Sequence, residues 1–233
     1  MAEPLPAMIF AAGRGTRMGA LTQHQPKPMI PVASRPLIDH ALDIAVTAGL
    51  SKVVINTHHC PAPLRAHLAS EHRLNLHLVH EDQLLETGGG LRNAAPLFDG
   101  APAVWTLNAD AVWRGPNPVR SVPATPVPGG ARLLLVPKDR ALGHTGPGDF
   151  FLNPDGTLRR RGPAPSAPYV YTGVQLIDPA PVAQLNQDAF SLNIVWDAMI
   201  ARGALLGEVY DGAWCDVGQP ESIALAEDLL ADV

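Results

Sequence analysis

Short apolar runs alternate along this chain with stretches whose apolar positions recur every three to four residues. Ala7-Met8-Ile9-Phe10-Ala11 is the first run, and Lys52 to Asn56, Leu76 to His80, Ala103 to Leu107 and Ala131 to Val136 follow as further strands. Between the first two, Leu37, Ile38, Ala41, Leu42, Ala45 and Val46 fall at helical intervals from Pro36 to Ala48, with Gly49 as the stop. Asp39 and Asp43 take the solvent side. Ala62 to Ser70, Leu91 to Ala95 and the terminal Glu221 to Leu230 read as further helices. This alternation predicts an α/β three-layer sandwich on a mixed, mostly parallel sheet, with ligands beyond the carboxyl ends of its strands. Later, Phe150-Phe151-Leu152 and Thr157-Leu158-Arg159 flank the turn signal Asn153-Pro154-Asp155-Gly156, and Leu205 to Tyr210 reads as an edge strand. Proline-rich Pro116 to Gly130 is a surface connection, so residues 1–233 are expected to form a single domain.

Composition narrows the function classes. Hydrophobic residues make up 46% of the 233, yet no run of about 18 apolar residues occurs, so no membrane partner is expected. Met1-Ala2-Glu3-Pro4 lacks a basic leader, which points to the cytoplasm. A net charge of −5 argues against nucleic acid, although one nucleotide needs only a local positive loop. Cys60 and Cys215 have no metal spacing and read as reduced thiols. The histidines, His58-His59 among them, form no H-E-x-x-H arrangement and are not expected to bind metal. Arg159-Arg160-Arg161 reads as a solvated run.

Candidate chemistry concentrates after the first strand, in Phe10-Ala11-Ala12-Gly13-Arg14-Gly15-Thr16-Arg17-Met18-Gly19 and in Gln25-Pro26-Lys27-Pro28. Glycines let backbone amides approach an anion, and Arg14, Arg17 and Lys27 can supply countercharge. Gly13-x-Gly15-x-x-x-Gly19 is one residue too long for a dinucleotide fingerprint, and Lys27 stands too far off for a P-loop. Taken alone, the glycines fit a phosphate loop or a simple turn. Asp110 ends a strand where ligands bind, and a carboxylate there would repel triphosphate unless a cation intervened. Asp216 by itself is equally an N-cap.

The longer string decides more. Ala11 to Arg17, Leu21-Thr22 and Pro26-Lys27-Pro28 resemble the signature of the sugar-1-phosphate nucleotidylyltransferases, A-A-G-x-G-T-R, then L-T, then P-K-P, with Gly19-Ala20 where a proline is common. Glu81 to Gly89 resembles the family's base segment, with Leu84 in place of its proline, and Trp214-Cys215-Asp216-Val217-Gly218-Gln219 resembles its second metal motif. The resemblance implies a Rossmann-like fold. It further implies nucleotide contacts from Ala11, Ala12, Gly13, Gly15, Thr16, Glu81, Thr87 and Gly88, with Gly88 to Gly90 lying flat against the base at a helix start. Arg17 is then expected on the departing pyrophosphate and Lys27 on the sugar phosphate or α-phosphate. Asn108, Asp149, Thr172 and Gly173 are expected at the sugar phosphate, and Asp110 and Asp216 on Mg2+. Within the family, Glu86 to Gly90 and Gly148-Asp149-Phe150 look most like members that uridylylate N-acetylmuramate 1-phosphate from UTP in cell-wall recycling. Mannose-1-phosphate guanylyltransferases share the phosphate loop and are the alternative. A non-catalytic nucleotide-binding regulator would not need both carboxylates.

Overall fold

The computed structural model describes residues 4–231. The elements run β1 (Ala7–Phe10), β2 (Pro31–Val32), β3 (Arg35–Pro36), α1 (Leu37–Ala48), β4 (Lys52–Thr57), α2 (Pro61–Leu68), β5 (Asn75–His80), α3 (Glu86–Ala94), β6 (Val104–Asn108) and β7 (Ala111–Arg114). They continue through β8 (Ala131–Pro137), β9 (Ala141–Leu142), β10 (Phe150–Leu152), β11 (Leu158–Arg160), β12 (Tyr169–Ile177), α4 (Ala180–Ala183), α5 (Leu192–Ala201), β13 (Leu205–Val209), β14 (Ala213–Asp216) and α6 (Glu221–Ala231).

Among the described residues nine strands form the central sheet along the path β11-β10-β12-β6-β1-β4-β5, with β8 and β13 added beyond β12. Strands β6, β1, β4 and β5 are mutually parallel, and β12 runs against β6. Seven of the nine point one way, β12 and β11 being the exceptions, so the sheet is mixed and mostly parallel. Side chains of successive strand residues leave on opposite faces. Ala7, Ile9, Val53 and Ile55 accordingly meet Ile38, Ala41 and Leu42 of α1 and Leu64 of α2, while Met8 and Val54 meet Leu91 of α3 and Trp196 and Met199 of α5. Three layers result. Burial on both faces is why these strands read as unbroken apolar runs.

A smaller sheet, β7-β14-β9, stands beside the first, and α6 covers it through Cys215, Val217, Ala226 and Leu229. Its strands are too short to show a pattern in sequence, yet it fixes one half of the site described below. The expected turn after Phe150-Phe151-Leu152 is present, with Gly156 at φ 83° and the Gly156 amide donating to Asn153 O at 3.0 Å. Pro116 to Gly130 holds neither helix nor strand, but Val119 and Val122 anchor it in the core. No helix among the described residues is long and apolar enough to cross a membrane.

One expectation is corrected. The third helix begins at Glu86 and not near Leu91, so Gly88-Gly89-Gly90 lie inside α3, fully covered. A Cβ on Gly88 would sit 2.4 Å from the Phe190 ring, and one on Gly89 would sit 2.4 Å from Asp188 O. Tertiary packing has overridden the low helix propensity of glycine. The triplet is a notch for the 188–190 segment and not an open platform.

Candidate active site

Two polar side chains, Asn56 and Glu81, tie the strand ends together through three hydrogen bonds. The Ala11 amide donates to Asn56 Oδ1 at 2.8 Å, Asn56 Nδ2 donates to Glu81 Oε1 at 2.7 Å, and Glu81 Oε2 accepts from the Leu85 amide at 3.0 Å. Asn56 and Glu81 are each 2% exposed, so these bonds are shielded from competing water. Glu81, expected at the base, has both of its carboxylate oxygens engaged by protein donors in this arrangement. Sequence shows the residue type at a strand end; it does not show the partners. The same brace uses the Ala11 amide, one of the expected nucleotide contacts.

Beyond this root the loop is open. Gly13 is exposed and has no atom within 4 Å of where a Cβ would lie, so its backbone can be approached closely. Gly15 takes φ 60° and starts the 3-10 segment Thr16–Thr22; a Cβ there would lie 3.0 Å from Lys27 Cβ. Buried Met18 pins this segment, which leaves Thr16 and Arg17 outward. Ala12 and Gly13 face a cleft of about 310 Å³ together with Asn56, Asn108 and Asp110.

Lys27 Nζ reaches Asp110 Oδ2 at 2.7 Å. Asp110 follows β6, and its carbonyl accepts from the Val217 amide at 2.9 Å, which brings the end of β14 alongside. Asp216, paired in register with Ala111, thereby shares the site with Asp110. Burial, and then the negative charge of Asp110, push the Asp216 carboxyl up to about 6, while Lys27 and Arg17 oppose the rise. Arg17 stands close by: a Cβ on Gly218 would lie 3.2 Å from its Nη1 and 2.8 Å from Asp216 Oδ2. Two carboxylates forced together and partly stripped of water fit a hard divalent cation, whose ligands are oxygens. The thiol of Cys215 is pushed up to about 12 by burial, the charge of Asp216 adding to the rise, and it faces the α6 packing, so it is no competing ligand.

The remaining expected residues divide. Thr87 lines the cleft, yet its Oγ1 accepts from the Leu192 amide at 3.0 Å and holds the start of α5, and the Gly88 amide donates to Phe190 O at 2.8 Å. Thr172 is 2% exposed and donates to Leu134 O at 2.8 Å, so its hydroxyl is likewise committed within the fold. Asp149 Oδ2 accepts from the Tyr171 amide at 2.9 Å. Gly173, at φ 92° in the irregular stretch of β12, lies directly on Asn108: a Cβ there would come 2.8 Å from Asn108 Cγ. Glu86 and Ser191 also line the cleft, and the sequence reading missed both roles. Ser191 was discoverable, as the N-cap before the helical spacing Leu192, Val195, Trp196 and Met199.

Residues 7–146 match the MobA-like NTP transferase domain. The chain is 36% identical over 238 aligned residues to the N-acetylmuramate alpha-1-phosphate uridylyltransferase of Caulobacter vibrioides, covering 98% of each chain. It is 29% identical to the protein of that name from Neisseria meningitidis, over 91% of this chain and 92% of that one. In fold it is similar to a putative glucose-1-phosphate thymidylyltransferase from Bacillus anthracis, with a TM-score of 0.80 at 19% identity, covering 100% of this chain and 96% of the other. Mannose-1-phosphate guanylyltransferases are more distant relatives. The chain belongs to the MobA-like NTP transferase family, among its sugar-1-phosphate nucleotidylyltransferases.

Proposed function

We propose that this chain, as a single domain in the cytoplasm, transfers UMP from UTP to N-acetylmuramate 1-phosphate with magnesium, releasing pyrophosphate and UDP-N-acetylmuramate. The observation that carries the chemistry is the gathering of Arg17, Lys27, Asp110 and Asp216 at one mouth of the sheet. The substrate pair rests on the Caulobacter and Neisseria relatives.

A phosphate oxygen of the sugar phosphate attacks the α-phosphorus, and the bond from that phosphorus to the bridging oxygen of the β-phosphate breaks. Pyrophosphate takes the electron pair. No enzyme nucleophile is needed, so the protein contributes position and charge. Magnesium held by Asp110 and Asp216 would neutralise phosphate oxygens when bound. Lys27, drawn to Asp110 in the present arrangement, lies where it can donate to the sugar phosphate or α-phosphate. Arg17 meets the departing pyrophosphate, and backbone at Ala12, Gly13, Gly15 and Thr16 lines the triphosphate. Ala11, Asn56 and Glu81 hold the root of that loop. The base lies between Thr87 and Asn56, and the sugar lies beside Asn108, Asp149 and Gly173.

Initial rates of pyrophosphate release test the reading directly. UTP with N-acetylmuramate 1-phosphate should exceed GTP with mannose 1-phosphate and UTP with glucose 1-phosphate. Preference for the guanine and mannose pair overturns the substrate assignment and leaves the phosphate chemistry standing.

A further inference from the structure

We propose that Arg14, His58 and His59 form a second anion cleft that receives the terminal phosphates of the nucleotide and holds them as pyrophosphate departs. This rests on the nucleotidyl-transfer reading and adds to it two histidines from outside the phosphate loop.

The cleft measures about 410 Å³ and is lined by these three residues with Thr16, Gln23 and other loop positions, with no aspartate or glutamate among them. Gly13 lines the nucleotide cleft and Arg14 lines this one, so the two adjoin across a single peptide. Arg14 is exposed and has no hydrogen-bond or ion-pair partner among the described residues. His58 and His59 follow directly on β4, at the carboxyl end of a parallel strand, where ligands of such sheets bind.

His58 is aimed by one bond and keeps one nitrogen over, whereas His59 is held by Thr22 O and by the Cys60 thiol, which lies 3.8 Å from its Nδ1. His58 Nδ1 lies 2.9 Å from Glu81 O, and a carbonyl only accepts, so Nδ1 carries the proton and Nε2 is left over. His59 Nε2 lies 2.7 Å from Thr22 O by the same logic. Thr22 Oγ1 in turn donates to Gly15 O at 3.1 Å, so His59 fastens the phosphate loop itself. With Nδ1 committed to the carbonyl, His58 donates to a phosphate through Nε2 only as the imidazolium.

Charge gives the reason for a second cleft. In the reaction centre the charges of Lys27 and Arg17 are matched by Asp110 and Asp216, so the surplus positive charge there would come from the cation those carboxylates hold. Arg14 adds side-chain positive charge next door, where no aspartate or glutamate lines the cleft.

Calorimetry on the full chain with magnesium tests this, using inorganic pyrophosphate, UMP and UTP as separate probes. Arg14→Ala removes the exposed charge, and His58→Asn keeps a donor near the Nδ1 position while deleting Nε2. Each variant should bind pyrophosphate and UTP at least tenfold more weakly, with UMP affinity and melting temperature unchanged, and Arg14→Lys should recover part of the loss. Pyrophosphate and UTP affinities within twofold of the parent in both Arg14→Ala and His58→Asn overturn the inference, as does an equal loss for UMP. If the parent binds pyrophosphate through these residues but fails to turn over UTP with N-acetylmuramate 1-phosphate, the substrate reading falls and this cleft stands.

Discussion

Lys27 Nζ lies 2.7 Å from Asp110 Oδ2, joining the phosphate loop to the end of β6 across the mouth of the sheet. The lysine is only 8% exposed, sits between Pro26 and Pro28, and packs its stem where Gly15 has no side chain. Its direction is therefore set before any substrate arrives. Lys27→Ala should lower kcat/KM by about tenfold to a hundredfold, the equivalent of a charge-assisted contact worth about 1.5 to 3 kcal/mol. Lys27→Arg should not restore the rate, because the planar fork needs width that the Gly15 wall denies. Unchanged kcat/KM in Lys27→Ala would show the ion pair to be structural alone.

Asp216 makes a prediction with a definite sign. Its carboxyl, ordinarily near 3.8, is raised to about 6 in the folded chain, first by burial and then by Asp110. The folded state thus holds this proton more tightly than the unfolded state. The stabilisation is full below the ordinary carboxylate value and is lost as pH climbs through about 6. In chelator, this group should stabilise the folded chain by about 1 to 2 kcal/mol more near pH 5 than near pH 7.5, against the opposite slope of His40, whose imidazole is held below its ordinary value by burial. Asp216→Asn should flatten that dependence, lose most turnover and abolish the protection that magnesium gives at pH 7.5. Melting curves of the parent and Asp216→Asn against pH, with and without magnesium, decide it; an Asp216→Asn variant that keeps the parent's pH slope in chelator would refute the assignment.

Two glycines should separate packing from phosphate contact. Gly88→Ala drives a methyl into the Phe190 ring and should cost about 1 to 3 kcal/mol of stability. Gly13→Ala meets nothing within 4 Å and should leave stability within about 0.5 kcal/mol while raising KM for the nucleotide. Denaturant melts paired with kinetics on both variants check this, and similar melts for the two would contradict it.

These cases show what was legible beforehand. Strands β1, β4 and β6 were readable because burial on both faces leaves only apolar residues, and α1 because its apolar spacing ends on Gly49 at φ 83°. The start of α3 was not, since three glycines argue locally for a loop and only Phe190, about a hundred positions away, explains them. Asp216 alone looked like a helix cap; the pairing of β14 with β7 that carries it to Asp110 joins residues distant in sequence. Glu81, Thr87 and Thr172 could be singled out as residue types, but their partners within the fold were invisible. A hydroxyl or carboxylate at a strand end serves a ligand or the fold equally well until its neighbours are known.

Asp149 should act on the sugar side. One carboxylate oxygen holds the Tyr171 amide at 2.9 Å, which fixes the group and leaves the other oxygen to accept from a sugar hydroxyl or amide. Asp149→Ala should raise KM for the sugar phosphate several-fold more than KM for UTP. Equal changes in both constants would point to a loosened β12 instead.

Glu86 gives the last test, and it sets stability against function. It is the first residue of α3, lines the nucleotide cleft and holds φ at 60°, a conformation that costs a residue with a side chain about 1 to 2 kcal/mol relative to the ordinary helical region. Glycine accepts that geometry without strain but loses more entropy on folding, so Glu86→Gly should be more stable by about 0.5 to 1 kcal/mol. A strained residue facing a ligand cleft is one whose side chain the site uses. The same variant should therefore lose nucleotide discrimination, its rate ratio for UTP over CTP falling, because a carboxylate accepts from the imide N–H of uracil and repels the bare ring nitrogen of cytosine. Higher melting temperature with unchanged discrimination would leave Glu86 as a turn residue only.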